Sequence, residues 1–260
     1  MSMSELHKPE WYGECAIISD KYNDYVQIKY KCNGTGTLYD YSLFPGINLI
    51  FMDFNCSDIF YEPIPNKNII EIRHYQKGRV EFELRNNKVF HMKEGELCIN
   101  ALANVPAAYS FPFGYSVGLS CVIDKDSIDA KTKQIFSYYN IDVLNLGQEL
   151  EIEKKWFLCR TPQRLLHIFD ELYAAKGVEG KDYFRIKLLE LFYHIKQLRI
   201  EDQYEATYYS KKQIEIIKRI RHQLIENLDK KLSIEELLRK EPMSKATFHC
   251  LLYTSDAADE

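Results

Sequence analysis

The chain has 260 residues, 46% of them hydrophobic and 28% charged, and a formal net charge of −4. That length supports one large or two ordinary domains, each with its own core. No stretch reaches the roughly 18 uninterrupted apolar residues of a membrane helix, and "MSMSELHKPEWYGE" lacks the apolar centre of a secretory signal. From these features the chain is expected to be globular and soluble, with the cytoplasm as its default location. Cys15, Cys32, Cys56, Cys98, Cys121, Cys159 and Cys250 lie far apart with no C-x-x-C pair. That spacing suggests neither a disulfide framework nor a thiolate zinc site, and free buried thiols are expected.

From Tyr12 to about Asp124 the signals are those of strands and turns. The runs "YVQIKYKC", "TLYDYSLF" and "INLIFMDF" are rich in β-branched and aromatic residues, which suit half-buried pleated surfaces. In "NIIEIRHYQKGRVEFELRNNKVFHMKEGELCINALA" apolar and polar residues alternate. Ile70, Ile72 and His74 share one face of a strand, and Val80, Phe82 and Leu84 share one face of the next. The turn segments "QKGR", "RNNK" and "KEGE" separate four short runs, which predicts an antiparallel meander in a sandwich or barrel.

After "CVIDKDSID" the period becomes helical. "TPQRLLHIFDELYAAKG" predicts a helix with Thr161 as N-cap, Pro162 at the first position and Leu165, Leu166, Phe169 and Leu172 inward. "DYFRIKLLELFYHIKQLR" predicts a second helix, with Phe184, Leu188, Leu191, Ile195 and Leu198 on one side. Two helices joined by "GVEGK" should lie antiparallel. The second is apolar over a wide arc that includes Ile186, Leu189 and Phe192, so a helix of another subunit is expected to cover part of it, through Leu188, Leu191, Phe192 and Ile195.

"EDQYEATYYSKK" is polar and weakly patterned, and it reads as an interdomain linker. In the next helix, "QIEIIKRIRHQLIENLDKK", Ile214, Ile217, Ile220, Leu224 and Leu228 fall on one side. Ser233 and Glu236 then form a capping box opening "SIEELLRK", a turn follows at "EPM", and Ser244 N-caps "KATFH". Helix, short turn and helix is the layout of a helix-turn-helix, whose second helix enters the DNA major groove. Residues 211–250 hold ten Lys/Arg against six Asp/Glu, a basic balance after an acidic front part that agrees with a nucleic-acid partner.

At "DKKLSIEELLRKEPMSKATFH" the chain resembles the first helix-turn-helix of AraC/XylS-type transcription regulators. The β-rich front part with "YQKGRVEFEL" and "MKEGELCI", the helices around "KLLELFYHI", the linker and the basic end follow the order of parts in effector-sensing members of that family. The resemblance implies an α+β chain divided into a cupin-like antiparallel barrel or sandwich that senses an effector (1–125), a helical dimerisation segment (126–200), a linker (201–212) and a partial DNA-binding domain (213–249). It also implies that Ser244, Lys245, Thr247 and His249 face DNA while Phe248 turns into the domain core. One departure lies in the turn, where Glu241 and Pro242 stand at positions that the family usually fills with an apolar residue and Gly.

Residues 250–260, "CLLYTSDAADE", resemble the translation of a transposon-end sequencing adapter. On that reading only the first turn of one recognition helix is present. The expected partners are then a small effector, a second copy of the chain and, for the intact protein only, DNA, with weak, sequence-independent DNA binding by the chain as written. The effector is a small molecule such as a sugar, and His74 and Tyr75, beside the turn before "GRVEF", are the candidate pocket residues. The competing reading is a cupin-type metal-dependent enzyme or a stand-alone binding module. A cupin metal site needs clustered ligands, commonly H-x-H with a nearby Glu. His74 and His91 stand on separate runs, and no G-x-S-x-G, P-loop or G-x-G-x-x-G occurs. The sequence therefore predicts no catalytic residue, no metal ligand and no cofactor.

Overall fold

In the computed structural model the described residues are 12–61, 68–101, 106–204 and 207–226, with the single positions Leu238, Met243, Ser244, Thr247 and Phe248. Eleven strands come first: β1 (Ala16–Lys21), β2 (Val26–Tyr30), β3 (Gly34–Phe44), β4 (Ile47–Cys56), β5 (Ile59–Tyr61), β6 (Ile69–Gly78), β7 (Val80–Glu83), β8 (Lys88–Met92), β9 (Glu96–Ala101), β10 (Ala108–Ser110) and β11 (Tyr115–Asp124). Helix α1 (Ala130–Tyr138), β12 (Phe157–Arg160), α2 (Gln163–Ala175), α3 (Lys181–Ile195), β13 (Tyr209–Ser210) and α4 (Lys211–Glu226) follow. The fold is α+β. None of the described helices is long and apolar enough to cross a membrane.

The strands form two open antiparallel sheets, one of eight strands in the order β1-β2-β3-β4-β11-β6-β9-β12 and one of five in the order β13-β8-β7-β10-β5. Of the two expected shapes, barrel and sandwich, the sheets make the sandwich and do not close into a barrel. The expected meander is also corrected. β6 pairs with β9 in the large sheet, while β7 and β8 form a hairpin in the small one. "QKGR" is therefore a corner between sheets, where a hairpin was expected. Gly78 makes that corner with φ of 82°, in the left-handed region that side chains avoid. A Cβ there would meet the Tyr115 carbonyl oxygen at 2.5 Å.

The strict two-residue period of the strands sorts their side chains into two cores. Val80, Phe82, Phe90, Phe54, Phe111 and Trp156 fill the space between the sheets. Leu49, Phe51, Ile70, Ile72, Leu119 and Cys121 lie on the other face of the large sheet, under the helices. Each fully buried aromatic or branched side chain contributes about 1.5–3 kcal/mol relative to exposure. The expected faces of β6 and β7 are thus observed, with Ile70 and Ile72 toward the helices and Val80, Phe82 and Leu84 toward the interior of the sandwich.

Helices α2 and α3 cover the large sheet with Leu165, Phe169, Leu172, Phe184, Leu188, Leu191, Phe192 and Ile195. Leu188, Leu191, Phe192 and Ile195 are thus used inside the chain, contrary to the interface expected of them, while Ile186 stays 65% exposed and Tyr193 45%. The start of α2 also differs by one residue, since Pro162 is the N-cap and no side chain caps it. Thr161 donates its backbone N–H to the Gly95 carbonyl, which holds it in line with the β12–β9 ladder and away from a capping position. Segment 201–212, expected as a linker, packs along the sandwich over its described part. Gln203 Nε2 donates to the Trp156 carbonyl at 2.9 Å, and Tyr209 and Ser210 pair with Val89 and Lys88 at the edge of the small sheet.

Candidate functional site

Strand alternation places Arg79, Glu81 and His91 on the face of the small sheet turned away from the sandwich interior. Helix α4 covers that face. Its residues Ile214, Ile216, Ile217 and Ile220 pack with Val89 and Tyr209, and with Leu238 and Phe248 further on. Between sheet and helix lies a cavity of about 310 Å³. Its sheet side is formed by Ser57, Ile59, Arg79, Glu81, His91 and Ser110, and the Phe111–Pro112 turn closes one end. Ile214, Ile217, Lys218 and Arg221 of α4 form the opposite wall.

The polar groups of this cavity are tightly interlinked on one side. His91 Nε2 donates to Glu81 Oε2 at 3.1 Å, and Lys218 Nζ donates to Glu81 Oε1 at 2.5 Å. Burial by itself would raise the Glu81 pKa, but the His91 hydrogen bond and the Lys218 charge outweigh it and hold it at about 2. Burial lowers the His91 pKa against the pull of the Glu81 hydrogen bond, so this imidazole is neutral at pH 7. Arg221 Nη1 donates to the Pro112 carbonyl at 3.2 Å.

Arg79 differs from these groups. It is 3% exposed, and its Nε and Nη1 find no acceptor among the described residues. Burial draws its pKa down to about 10, partly offset by the Glu81 charge, so it remains a cation at pH 7. A buried guanidinium without acceptors is costly, on the order of several kcal/mol, unless an anion supplies them. Arg79, Lys218 and Arg221 against the single carboxylate of Glu81 leave the cavity cationic, while Ile59, Phe111, Pro112, Ile214 and Ile217 give it apolar walls.

His74 and Tyr75, the pocket candidates from sequence, lie elsewhere. His74 is on the helix-facing side of β6, stacked on Phe169 with ring centroids 4.1 Å apart. Tyr173 Oη donates to the His74 carbonyl at 2.9 Å, and His74 Nδ1 stands 3.1 Å from that hydroxyl. Burial lowers the His74 pKa to about 4. Tyr75 is buried in the sandwich core, its ring across Gly118. His74 and His91 therefore lie on faces of different sheets and do not converge on one ion.

Of the expected DNA-facing residues, Lys245 and His249 lie outside the described residues, as do the Ser233–Glu236 capping box, the Glu241–Pro242 turn and residues 250–260. Ser244 acts as the expected N-cap, with Thr247 N–H donating to its Oγ at 3.1 Å and Phe248 N–H to its carbonyl at 2.9 Å. Phe248 is fully buried.

No protein-family model and no curated protein matches the sequence. Among solved structures, the chain is similar to the AraC-like transcriptional activator CuxR, with 10% identity over 86% of this chain and 76% of that one and a TM-score of 0.39. It is also similar to apo ToxT K231A from Vibrio cholerae strain SCE256, with 9% identity over 81% and 75% of the two chains and a TM-score of 0.42. Likeness at this level leaves the function of this chain to be read from its own residues.

Proposed function

We propose that the chain is an AraC/XylS-type transcription regulator, not an enzyme, in which the cavity between the small sheet and α4 receives a small anionic effector. The observation that carries this reading is Arg79, a buried guanidinium whose Nε and Nη1 have no acceptor among the described residues and which faces α4, the helix that opens segment 213–249. A carboxylate or phosphate in the cavity supplies a charge-assisted acceptor to these donors, a partner that a guanidinium favours. The apolar walls select an acid with a hydrocarbon body, and a cavity of about 310 Å³ suits a compact one. A neutral sugar offers no such charge, so a sugar acid is the form of that expectation that Arg79 favours.

The effector's acid group competes with Glu81 for Lys218 and so alters how α4 is held. In the cytoplasm, the state of α4 then sets the presentation of Ser244, Lys245, Thr247 and His249 to DNA. Self-association belongs to the same reading, through the exposed stripe of Ile186 and Tyr193 on α3.

Two measurements test it. Calorimetric titration of the full chain with straight-chain monocarboxylates and the matching alcohols should show the acids binding at least about tenfold more tightly, a difference of 1.4 kcal/mol, and Arg79→Met should abolish that preference. Equal binding of acids and alcohols, or an unchanged preference in R79M, rejects the effector class. Gel-shift titration on DNA upstream of the gene, using the full product of that gene, should show a specific complex with steep salt dependence. No specific complex there rejects the regulator reading.

A further inference from the structure

Antiparallel pairing of β3 with β4 sets Gly34 opposite Cys56. Cys32, two residues ahead in the β2–β3 turn, is thereby carried to the end of β4, where Asp58 lies in the short link to β5. The turn is tightly fixed. Gly34 has φ of 136°, and a Cβ on it would lie 2.1 Å from the Asn55 carbonyl oxygen. Its N–H donates to the Cys32 carbonyl at 3.1 Å, and the N–H of Asn33 donates to Asp58 Oδ2 at 2.8 Å.

The result is that two sulfurs and a carboxylate oxygen, from Cys32, Cys56 and Asp58, all lie within 4.8 Å of one another. Tetrahedral zinc holds thiolates at about 2.3 Å, which puts two of them roughly 3.8 Å apart on one ion. The three donors already stand near that arrangement, on a backbone that cannot easily spread. Cys98, Cys121 and Cys159, by contrast, are core thiols of β9, β11 and β12 and join no such group of donors among the described residues.

We propose that Cys32, Cys56 and Asp58 form a binding site for a thiophilic divalent cation of the zinc class, with a fourth position open to water. Two thiols and one carboxylate suit this class and disfavour calcium or magnesium, which take oxygen ligands. Binding exchanges the two thiol protons for metal–sulfur bonds, releases both protons to solvent and involves no change of oxidation state. Cys32 is half-buried at the surface, so the ion has a way in. The site adjoins the cavity described above, because Ser57, between Cys56 and Asp58, and Ile59, which follows Asp58, line it. The metal site does not depend on that cavity's effector, and its test is separate.

The test is titration of the full chain, kept reduced with a phosphine, with Co2+ as chloride. The readouts are thiolate-to-cobalt charge-transfer absorption and the visible bands of tetrahedral cobalt. One equivalent should produce both, Zn2+ should displace it, and Cys15→Ser should bind normally. Because Cys56 is buried, the deciding variants are Cys32→Ser and Asp58→Asn, checked for native circular dichroism. Each should weaken cobalt binding at least about tenfold. Absence of the sulfur charge-transfer band in the parent chain, or binding in folded C32S equal to that of the parent, overturns the proposal.

Discussion

Lys218 Nζ lies 2.5 Å from Glu81 Oε1, and this contact fastens α4 to the outer face of the five-stranded sheet. Lys218→Met leaves Glu81 with the His91 ring and the Ser110 hydroxyl as side-chain donors and removes its cationic partner on α4. Lys218 is 47% exposed, so water recovers part of the loss, and the expected cost is about 1–2 kcal/mol. Urea melts measure it, and Glu81→Gln in the same background should cost less than it does alone. Additive effects of the two substitutions would show that the contact contributes nothing.

Acid should weaken the fold in two steps. His74 has its folded pKa lowered to about 4, so the folded state binds fewer protons than the unfolded one, whose His titrates near 6.5. Its contribution is fully present above about 6.5 and is lost as pH falls toward 4, amounting to up to about 3 kcal/mol. Glu81, held at about 2, adds a second loss as pH falls from roughly 4.3 toward 2. Urea midpoints between pH 7 and 4.5 should therefore drop in the parent chain and stay flatter in His74→Gln. Parallel curves for the two would contradict the assignment.

Leu188 and Leu191 belong to the core under the large sheet. Leu191→Ala should cost about 2–5 kcal/mol, and a charge at Leu188 should unfold the chain without producing a folded monomer. Ile186→Asp with Tyr193→Asp, at exposed positions of α3, should leave the melting temperature almost unchanged. If the chain sediments as a dimer, that pair should shift it to monomer. A dimer untouched by the pair would place the contact elsewhere.

Gly118 sits where β11 shifts register against β6. A Cβ on it would come within 2.5 Å of the Tyr75 ring and 2.9 Å of the His74 carbonyl oxygen. Backbone at that distance cannot yield as a side-chain tip does, so Gly118→Ala should cost about 1–3 kcal/mol as overpacking. Tyr75→Ala removes the ring but not the carbonyl, and the double variant should recover only part of that penalty. Full recovery would locate the whole clash in the ring.

The sequence was most legible where one rule acts alone. Alternation in "GRVEFEL" placed Val80, Phe82 and Leu84 on the buried side, as observed, and helical spacing located α2, α3 and the buried side of α4. The same alternation concealed the cavity. Arg79, Glu81 and His91 fall on the polar side of their strands, which normally meets solvent, and only the later placement of α4 covers them. A signal was available in the opposite charges of Glu81 and Lys218, but pairing them requires the tertiary fold. "QKGR" was misread because Gly with positive φ serves a hairpin and a corner between sheets equally well. Cys32 and Cys56 gave no motif, because strand pairing and not local spacing brings them together.

Tyr209 and Ser210 occupy the outer edge of the five-stranded sheet, hydrogen-bonded to Val89 and Lys88. A sheet edge without such a cover presents a row of unpaired amide and carbonyl groups that any extended chain can join. Pulling α4 away by its N-terminal end peels this strand from β8, since Lys211 follows Ser210 directly. Motion of the helix therefore uncovers a template for strand addition between molecules. Substitutions that free α4, Lys218→Met among them, should make the protein prone to aggregate well below its unfolding temperature.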